Sequence, residues 1–293
     1  MIKEKLFSYY KSMRPETWFI GGVPLVFMSI LASNFNLSIS MLIGTLSLFI
    51  ITIVFILGGT NMFNEVFDVD ADKFNKPNRS IVSKKITRKS AFFLSSMLFI
   101  LALIWSFFLN MNIFYLTAIA VFFGIAYSLP HLRFKDHALT SMITLGSGYG
   151  FLIPISPWIL FSENNILTGL LITIISFAFF FGTTNFKDFK DVVGDKVKGS
   201  KTLPLTVGIK KTIMLMMLLM TIIPSIILGF YIYKSIFPAW CSLAFISFIS
   251  SFILLYKLMK NYSPEFAFKG YKLTYVIYPS IFIFLTIGFL IGG

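Results

Sequence analysis

The sequence predicts an all-α integral membrane protein: nine transmembrane helices, arranged as two pseudo-repeated four-helix units plus a ninth helix around a central cavity. Three observations lead there. The composition is extremely apolar, the apolar runs have bilayer length, and the acidic residues repeat.

Of the 293 residues, 57% are hydrophobic and 13% charged. Soluble domains carry about 25% charged residues, so this chain has too little polar surface to cover a core in water. The 36 phenylalanines and a mean hydropathy of +0.84 point the same way. The composition argues against a soluble enzyme, a disordered chain and a secreted disulfide scaffold. The lone Cys241 has no partner for an intrachain bridge. A net charge of +13 raises nucleic acid as a partner. In a membrane protein that excess reads better as the topogenic charge of cytoplasmic loops, so no nucleic acid is expected.

A helical crossing needs about 20 apolar residues. Runs of that kind fall at about 17–34, 38–60, 91–109, 112–129, 139–161, 166–186, 212–232, 235–256 and 273–291. Pro24, Pro154, Pro157, Pro224, Pro238 and Pro279 are expected to kink them. If loops alternate sides across these nine runs, every Lys and Arg but one of the 25, Lys234, falls on the side of the N-terminus. That asymmetry places the N-terminus and the basic loops in the cytoplasm.

The acidic residues cluster. Seven of the twelve lie in Asn64-Glu65-Val66-Phe67-Asp68-Val69-Asp70-Ala71-Asp72 and in Asp188-Phe189-Lys190-Asp191-Val192-Val193-Gly194-Asp195. On a helix, Asn64, Asp68 and Asp72 share one face, and so do Asp188, Asp191 and Asp195. A shift of 123 residues superimposes the stretches, with seven identities over positions 59–73. The simplest account is a duplicated unit, about 14–136 and 137–260, within one transmembrane domain spanning 1–293.

Carboxylates beside hydrocarbon are costly and usually functional. Crowded together they need compensating charge. Oxygen ligands suit a hard cation, and Mg²⁺ is usually bound by a few carboxylates plus substrate phosphate oxygens. Lys73, Lys76 and Arg79 follow the first cluster, and Lys196, Lys198 and Lys201 follow the second. Acid and base together at a membrane face fit an Mg²⁺–diphosphate whose apolar tail enters the bundle. Lys84, Lys85, Arg88, Lys89, Lys210 and Lys211 read as topogenic or headgroup charges.

Asn64…Asp68…Asp72 resembles the N-x-x-x-D-x-x-x-D motif of the UbiA superfamily of intramembrane prenyltransferases, and Asp191…Asp195 resembles its second D-x-x-x-D motif. The flanks are similar too: Asp72-Lys73-Phe74-Asn75-Lys76-Pro77-Asn78-Arg79, Gly194-Asp195-Lys196, Lys201-Thr202-Leu203-Pro204, Arg14-Pro15-x-x-Trp18, and Tyr127-Ser128-x-Pro130-x-x-Arg133-x-Lys135. The resemblance implies transfer of a prenyl group from a prenyl diphosphate to an aromatic or lipid-like acceptor within the bilayer. It implies Mg²⁺ at Asn64, Asp68, Asp72, Asp188, Asp191 and Asp195, with Asp68, Asp72, Asp191 and Asp195 essential for catalysis. Asn64, Lys73, Arg79, Arg133, Lys135 and Lys201 would clamp the diphosphate. Tyr127 is the one aromatic singled out on the acceptor side. Two other functions share these features: cyclisation of the prenyl diphosphate without an acceptor, and transport. Among family branches, the motifs look like those of chlorophyll synthase, homogentisate prenyltransferase and digeranylgeranylglyceryl phosphate synthase. Gly182-Thr183-Thr184-Asn185 lacks the Arg-Glu pair of the last, which tilts the resemblance toward the first two.

Overall fold

The computed structural model describes residues 2–162, 165–189, 192, 196 and 199–292. Among them, eight helical stretches are long and apolar enough to cross a membrane: Lys3–Ala32, Ile39–Phe67, Arg88–Leu109, Ala138–Phe161, Ile166–Phe189, Ile209–Tyr233, Ala239–Lys260 and Pro264–Gly292. The remaining expected crossing is a shorter apolar helix, Met111–Ala126. Its start is fixed by Asn110, whose Oδ1 accepts from the amides of Asn112 and Ile113 at 2.8 and 3.3 Å. Its end is fixed by Pro130, which disfavours helix at the residue before it. The chain instead turns over residues 127–130, and the amide of Lys135 returns to the carbonyl of Tyr127 at 3.3 Å.

Two boundaries differ from the apolar runs for the same reason. The last helix starts at Pro264 rather than near 273, because Ser263 Oγ accepts from the amide of Phe266 and Pro264 suits a first turn. Glu265, Lys269 and Lys272 lie inside that helix, and hydropathy alone leaves such turns out. At the other end, Ile2–Ser12 forms an amphipathic helix before the first crossing. The break between them is Arg14, whose φ of 53° is left-handed. Asn61 holds that break, donating from Nδ2 to the Met13 carbonyl and to Thr17 Oγ1.

Three crossings contain π-helical turns: Ile50–Leu57, Gly146–Leu152 and Leu218–Ile222. Two of them run directly into Ile153-Pro154 and Ile223-Pro224. Proline lacks an N–H and its ring clashes with the preceding turn, so a widened turn relieves the clash.

Packing is uneven. The second half of the chain dominates one continuous core that includes Phe179, Phe186, Phe248, Tyr278 and Phe282, all buried. The first half contributes mainly to three smaller clusters, around Phe63, around Ile53 and around Met62. The space those clusters leave open is a cavity of about 540 Å³. Large apolar side chains cover the outside, Phe93, Phe108 and Ile226 among them. In an integral membrane protein that exterior faces lipid.

Candidate active site

The 39–67 helix ends at Phe67, and a second helix, Val69–Asn75, starts after Asp68. The register survives the junction. The amides of Asp68, Asp72 and Lys76 reach the carbonyls of Asn64, Asp68 and Asp72 at 3.0, 2.8 and 2.8 Å. Asn64, Asp68 and Asp72 therefore stay on one face, and all three line the cavity. Lys73 does not. It sits one residue beyond Asp72, about 100° around the helix. It is 58% exposed and pairs with Asp70 at 2.8 Å, which holds the exposed Asp70 carboxyl below its ordinary range.

Cations arrive from two loops. Lys135 Nζ donates to Asp68 Oδ1, and Arg133 Nη2 lies 3.7 Å from the same oxygen. Arg133 takes a left-handed φ of 37°, and its Nε donates to Asp136 Oδ2. That hydrogen bond raises the Arg133 pKa, with burial working against it. Burial lowers that of Lys135, opposed by Asp68. Asp72 is 4% exposed, 3.8 Å from Arg79 and 3.9 Å from Lys76. Burial raises its carboxyl above the ordinary range, and Arg79 and Lys76 pull the other way. Arg79 also lies 3.8 Å from Glu65. Glu65 is 1% exposed and accepts the Ile81 amide at 2.9 Å, so it anchors the 76–81 loop that carries Arg79. Asp72 Oδ2 and Arg79 Nη1 are both buried without a hydrogen-bond partner. These two atoms face each other at 3.8 Å, an ion pair without a hydrogen bond, so each keeps its hydrogen-bonding capacity beside the cavity.

On the opposite wall, Asp188 lines the cavity. Asp191 and Asp195 lie outside the described residues. Lys201 is exposed and off the cavity, its backbone pairing with residues 136–138. Tyr127 lines the cavity, as do three residues that the motifs alone did not assign: Arg14, Lys187 and Tyr149. Arg14 Nη2 donates to Asn64 Oδ1 at 3.0 Å. Lys187 donates to Tyr127 and Ser141. Tyr149 stacks on Phe180 with centroids 4.7 Å apart. Arg14 was signalled by its Arg-Pro-x-x-Trp setting. Lys187 had a signal in its position directly before Asp188, one residue past an apolar run. Tyr149 had none among so many aromatics.

Among the described residues, no group of three or more His, Cys, Asp and Glu stands close enough to hold a metal unaided. The described carboxylates can supply part of a shell. Asp68 and Asp72 share a face, and the buried Asp72 Oδ2 accepts no hydrogen bond.

A helical bundle of this kind, with an apolar cavity rimmed by acids and bases, is the architecture of an intramembrane transferase, and comparison with known proteins specifies which. The UbiA prenyltransferase family matches residues 22–286, and the chain belongs to it. It is a membrane-embedded prenyltransferase. Digeranylgeranylglyceryl phosphate synthase of Methanosphaera stadtmanae is 28% identical over 88% of this chain and 90% of its own length. The enzyme of that name from Sulfurisphaera tokodaii is 31% identical over 83% of this chain and 84% of its own. Among solved structures, one described as a digeranylgeranylglyceryl phosphate synthase in membranes superposes with a TM-score of 0.77, at 24% identity, covering 97% of this chain and 98% of that one. A UbiA homologue from Archaeoglobus fulgidus bound to GPP and Mg²⁺ superposes with a TM-score of 0.71, at 17% identity, covering 96% of this chain and 99% of that one. These two establish the fold. The relatives carry the glyceryl phosphate name even though the Arg-Glu pair is missing at 182–185, so the tilt toward the aromatic branches finds no support in them.

Proposed function

We propose that the chain joins a prenyl group from a prenyl diphosphate to a hydroxyl of a glyceryl phosphate lipid, with Mg²⁺ and release of pyrophosphate. The observation that carries this reading is the single cavity with two characters. Asn64, Asp68, Asp72, Arg79, Arg133 and Lys135 form a charged rim, while Ile20, Ile56, Ile113, Leu116 and Ile153 line its apolar part. A diphosphate at the rim leaves its tail against hydrocarbon. The names of the relatives favour a glyceryl phosphate acceptor and a geranylgeranyl donor, and the A. fulgidus neighbour supports Mg²⁺ with a prenyl diphosphate.

Asn64, Asp68, Asp72 and Asp188 would hold Mg²⁺, with Asp191 and Asp195 completing the set from the second motif. When bound, the ion neutralises diphosphate oxygens and takes up charge on the leaving group. Arg79, Arg133 and Lys135 add fixed positive charge at the same place, which is electrostatic stabilisation of departing pyrophosphate. The bond between the donor's first carbon and its diphosphate oxygen breaks. A carbon–oxygen bond to the acceptor forms, its O–H bond breaks, and the proton passes to the departing pyrophosphate. The apolar wall keeps water from the allylic carbon meanwhile. Lys73 and Lys201, both off the cavity, take no part in this reading. The duplicated units at about 14–136 and 137–260 would each supply one wall, and the charge asymmetry would put the rim at the cytoplasmic surface.

The test is mass spectrometry of products from purified protein, Mg²⁺, geranylgeranyl diphosphate and a mono-prenylated glyceryl phosphate. The expected product is the di-prenylated glyceryl phosphate, with pyrophosphate in equal amount, and none forms in a chelator. A prenyl product formed without acceptor would mean cyclisation instead. Transfer to aromatic acceptors alone would move the acceptor class.

A further inference from the structure

Most cations of the cavity face acids, while Arg14 donates to the neutral amide of Asn64. Those at the rim already face acids: Arg79 faces Glu65 and Asp72, Arg133 faces Asp136 and Asp68, and Lys135 faces Asp68. Lys187, on the opposite wall, feels the neighbouring Asp188 carboxylate but spends its hydrogen bonds differently. Its ammonium donates at 2.6 Å to Tyr127 Oη and at 2.8 Å to Ser141 Oγ, both neutral hydroxyls. It also sits 5.1 Å from the Tyr127 ring centroid. Lysine has three N–H donors, and the hydroxyls that accept two of them keep protons of their own. Ser141 is buried behind Lys187, while Lys187 and Tyr127 both line the cavity. Ser141 is a strut, and the ammonium and the phenol form the binding face.

The position relative to the rim is set by one turn. Ser128 accepts from Asn64 Nδ2 at 2.9 Å, and the residue before it accepts from Lys187. Lys187 and Asn64 are thereby tied to adjacent residues of the same turn.

We propose that Lys187 and Tyr127 bind the phosphate of the acceptor, forming an anion subsite distinct from the diphosphate site at the rim. This rests on the glyceryl phosphate reading and adds to it the group that recognises the headgroup. A phosphate monoester carries close to two negative charges and strong acceptor oxygens. A compact ammonium with rotatable donors matches it. Thr183 and Thr184, which line the same wall, bond back to the Phe179 and Phe181 carbonyls and supply no charge. Among the described residues of that wall, Lys187 therefore provides the positive charge.

The experiment measures Michaelis constants for geranylgeranyl diphosphate, for a mono-prenylated glyceryl phosphate, and for its phosphate-free alcohol, in wild type, Lys187→Met, Lys187→Arg and Tyr127→Phe. Melting shifts caused by the phosphate acceptor alone, in chelator and without donor, give a readout independent of turnover. Lys187→Met should raise the constant for the phosphate acceptor roughly tenfold or more, leave the donor's unchanged, abolish the acceptor-induced melting shift, and erase the preference over the phosphate-free alcohol. Lys187→Arg should keep most of that preference, and Tyr127→Phe should weaken it. Should the Met variant fail to fold, the Arg and Phe variants decide the matter. Equal losses for donor and acceptor would assign Lys187 to the diphosphate site and overturn the proposal, as would a preference for phosphate that survives all three variants. If the wild-type protein uses no glyceryl phosphate acceptor at all, the functional reading itself falls and this subsite with it.

Discussion

Asp68 and Lys135 form an ion pair across the cavity rim, joining the end of the 39–67 helix to the loop after Met111–Ala126. Lys135 is 11% exposed and Asp68 17%. The rim thus comes with its charge already balanced. Crowded carboxylates alone would gain stability from losing a charge, whereas here a lost carboxylate strands a buried ammonium.

Asp68→Asn should therefore abolish Mg²⁺-dependent transfer and also lower the melting temperature. A fully buried pair broken on one side costs about 3–5 kcal/mol. With residual exposure, roughly 1–3 kcal/mol is expected. Adding Lys135→Met should restore much of the stability and none of the activity. A single variant that melts higher than wild type would show that repulsion, not pairing, governs the rim.

Arg79→Gln tests the donor side. Arg79 Nη1 is buried 3.8 Å from both Asp72 and Glu65 and makes no hydrogen bond to either. Loss of a charge-assisted contact costs about 1.5–3 kcal/mol, or roughly ten- to a hundredfold in affinity. The Michaelis constant for the prenyl diphosphate should rise by that factor, and that for the acceptor should not. Unchanged donor kinetics would remove Arg79 from the clamp.

Gly148 controls size. It lines the cavity, and a Cβ built there meets nothing within 4 Å. Gly148→Ala should fold normally and gain up to about 1 kcal/mol of helix propensity. Gly148→Phe should fill cavity volume and shift the kcat/KM ratio from long toward short prenyl donors by tenfold or more. An unaltered chain-length profile for the Phe variant would mean the prenyl tail runs elsewhere.

Orientation is tested at Lys84, an exposed residue in the loop that carries Arg79 and its neighbours. A cysteine there, with Cys241 replaced by serine, should react with an impermeant reagent only from the cytoplasmic side. Reaction from outside would invert the proposed topology.

Much of this was legible in the sequence, for identifiable reasons. Crossings announce themselves because hydrocarbon demands a long apolar run, and the face shared by Asn64, Asp68 and Asp72 follows from helical spacing alone. Lys73 adjoins the motif without sharing its face, because a single residue turns the helix by about 100°. The apolar run stops at 186, which hides Lys187 from hydropathy, while the helical stretch continues to Phe189. Hydropathy marks where apolar residues end, not where hydrogen bonding ends. Arg14 reaches Asn64 from a left-handed turn that no periodicity encodes.

The widened turns at Ile50–Leu57 and Gly146–Leu152 put Thr52, Ile56, Gly148 and Tyr149 on the cavity wall. Each turn of this type holds an additional residue, and one residue corresponds to about 100° of rotation. They act as phase shifters between the lipid-facing pattern of a crossing and the chemistry at its end. Deleting one residue from 50–57 would remove the additional residue and let the stretch close into α-helical turns, whereas the same deletion in the regular helix at 58–63 would swing Asn64, Asp68 and Asp72 by about 100° off the cavity. The protein's tolerance of insertions and deletions in these crossings is thus set by angle before it is set by hydrophobicity.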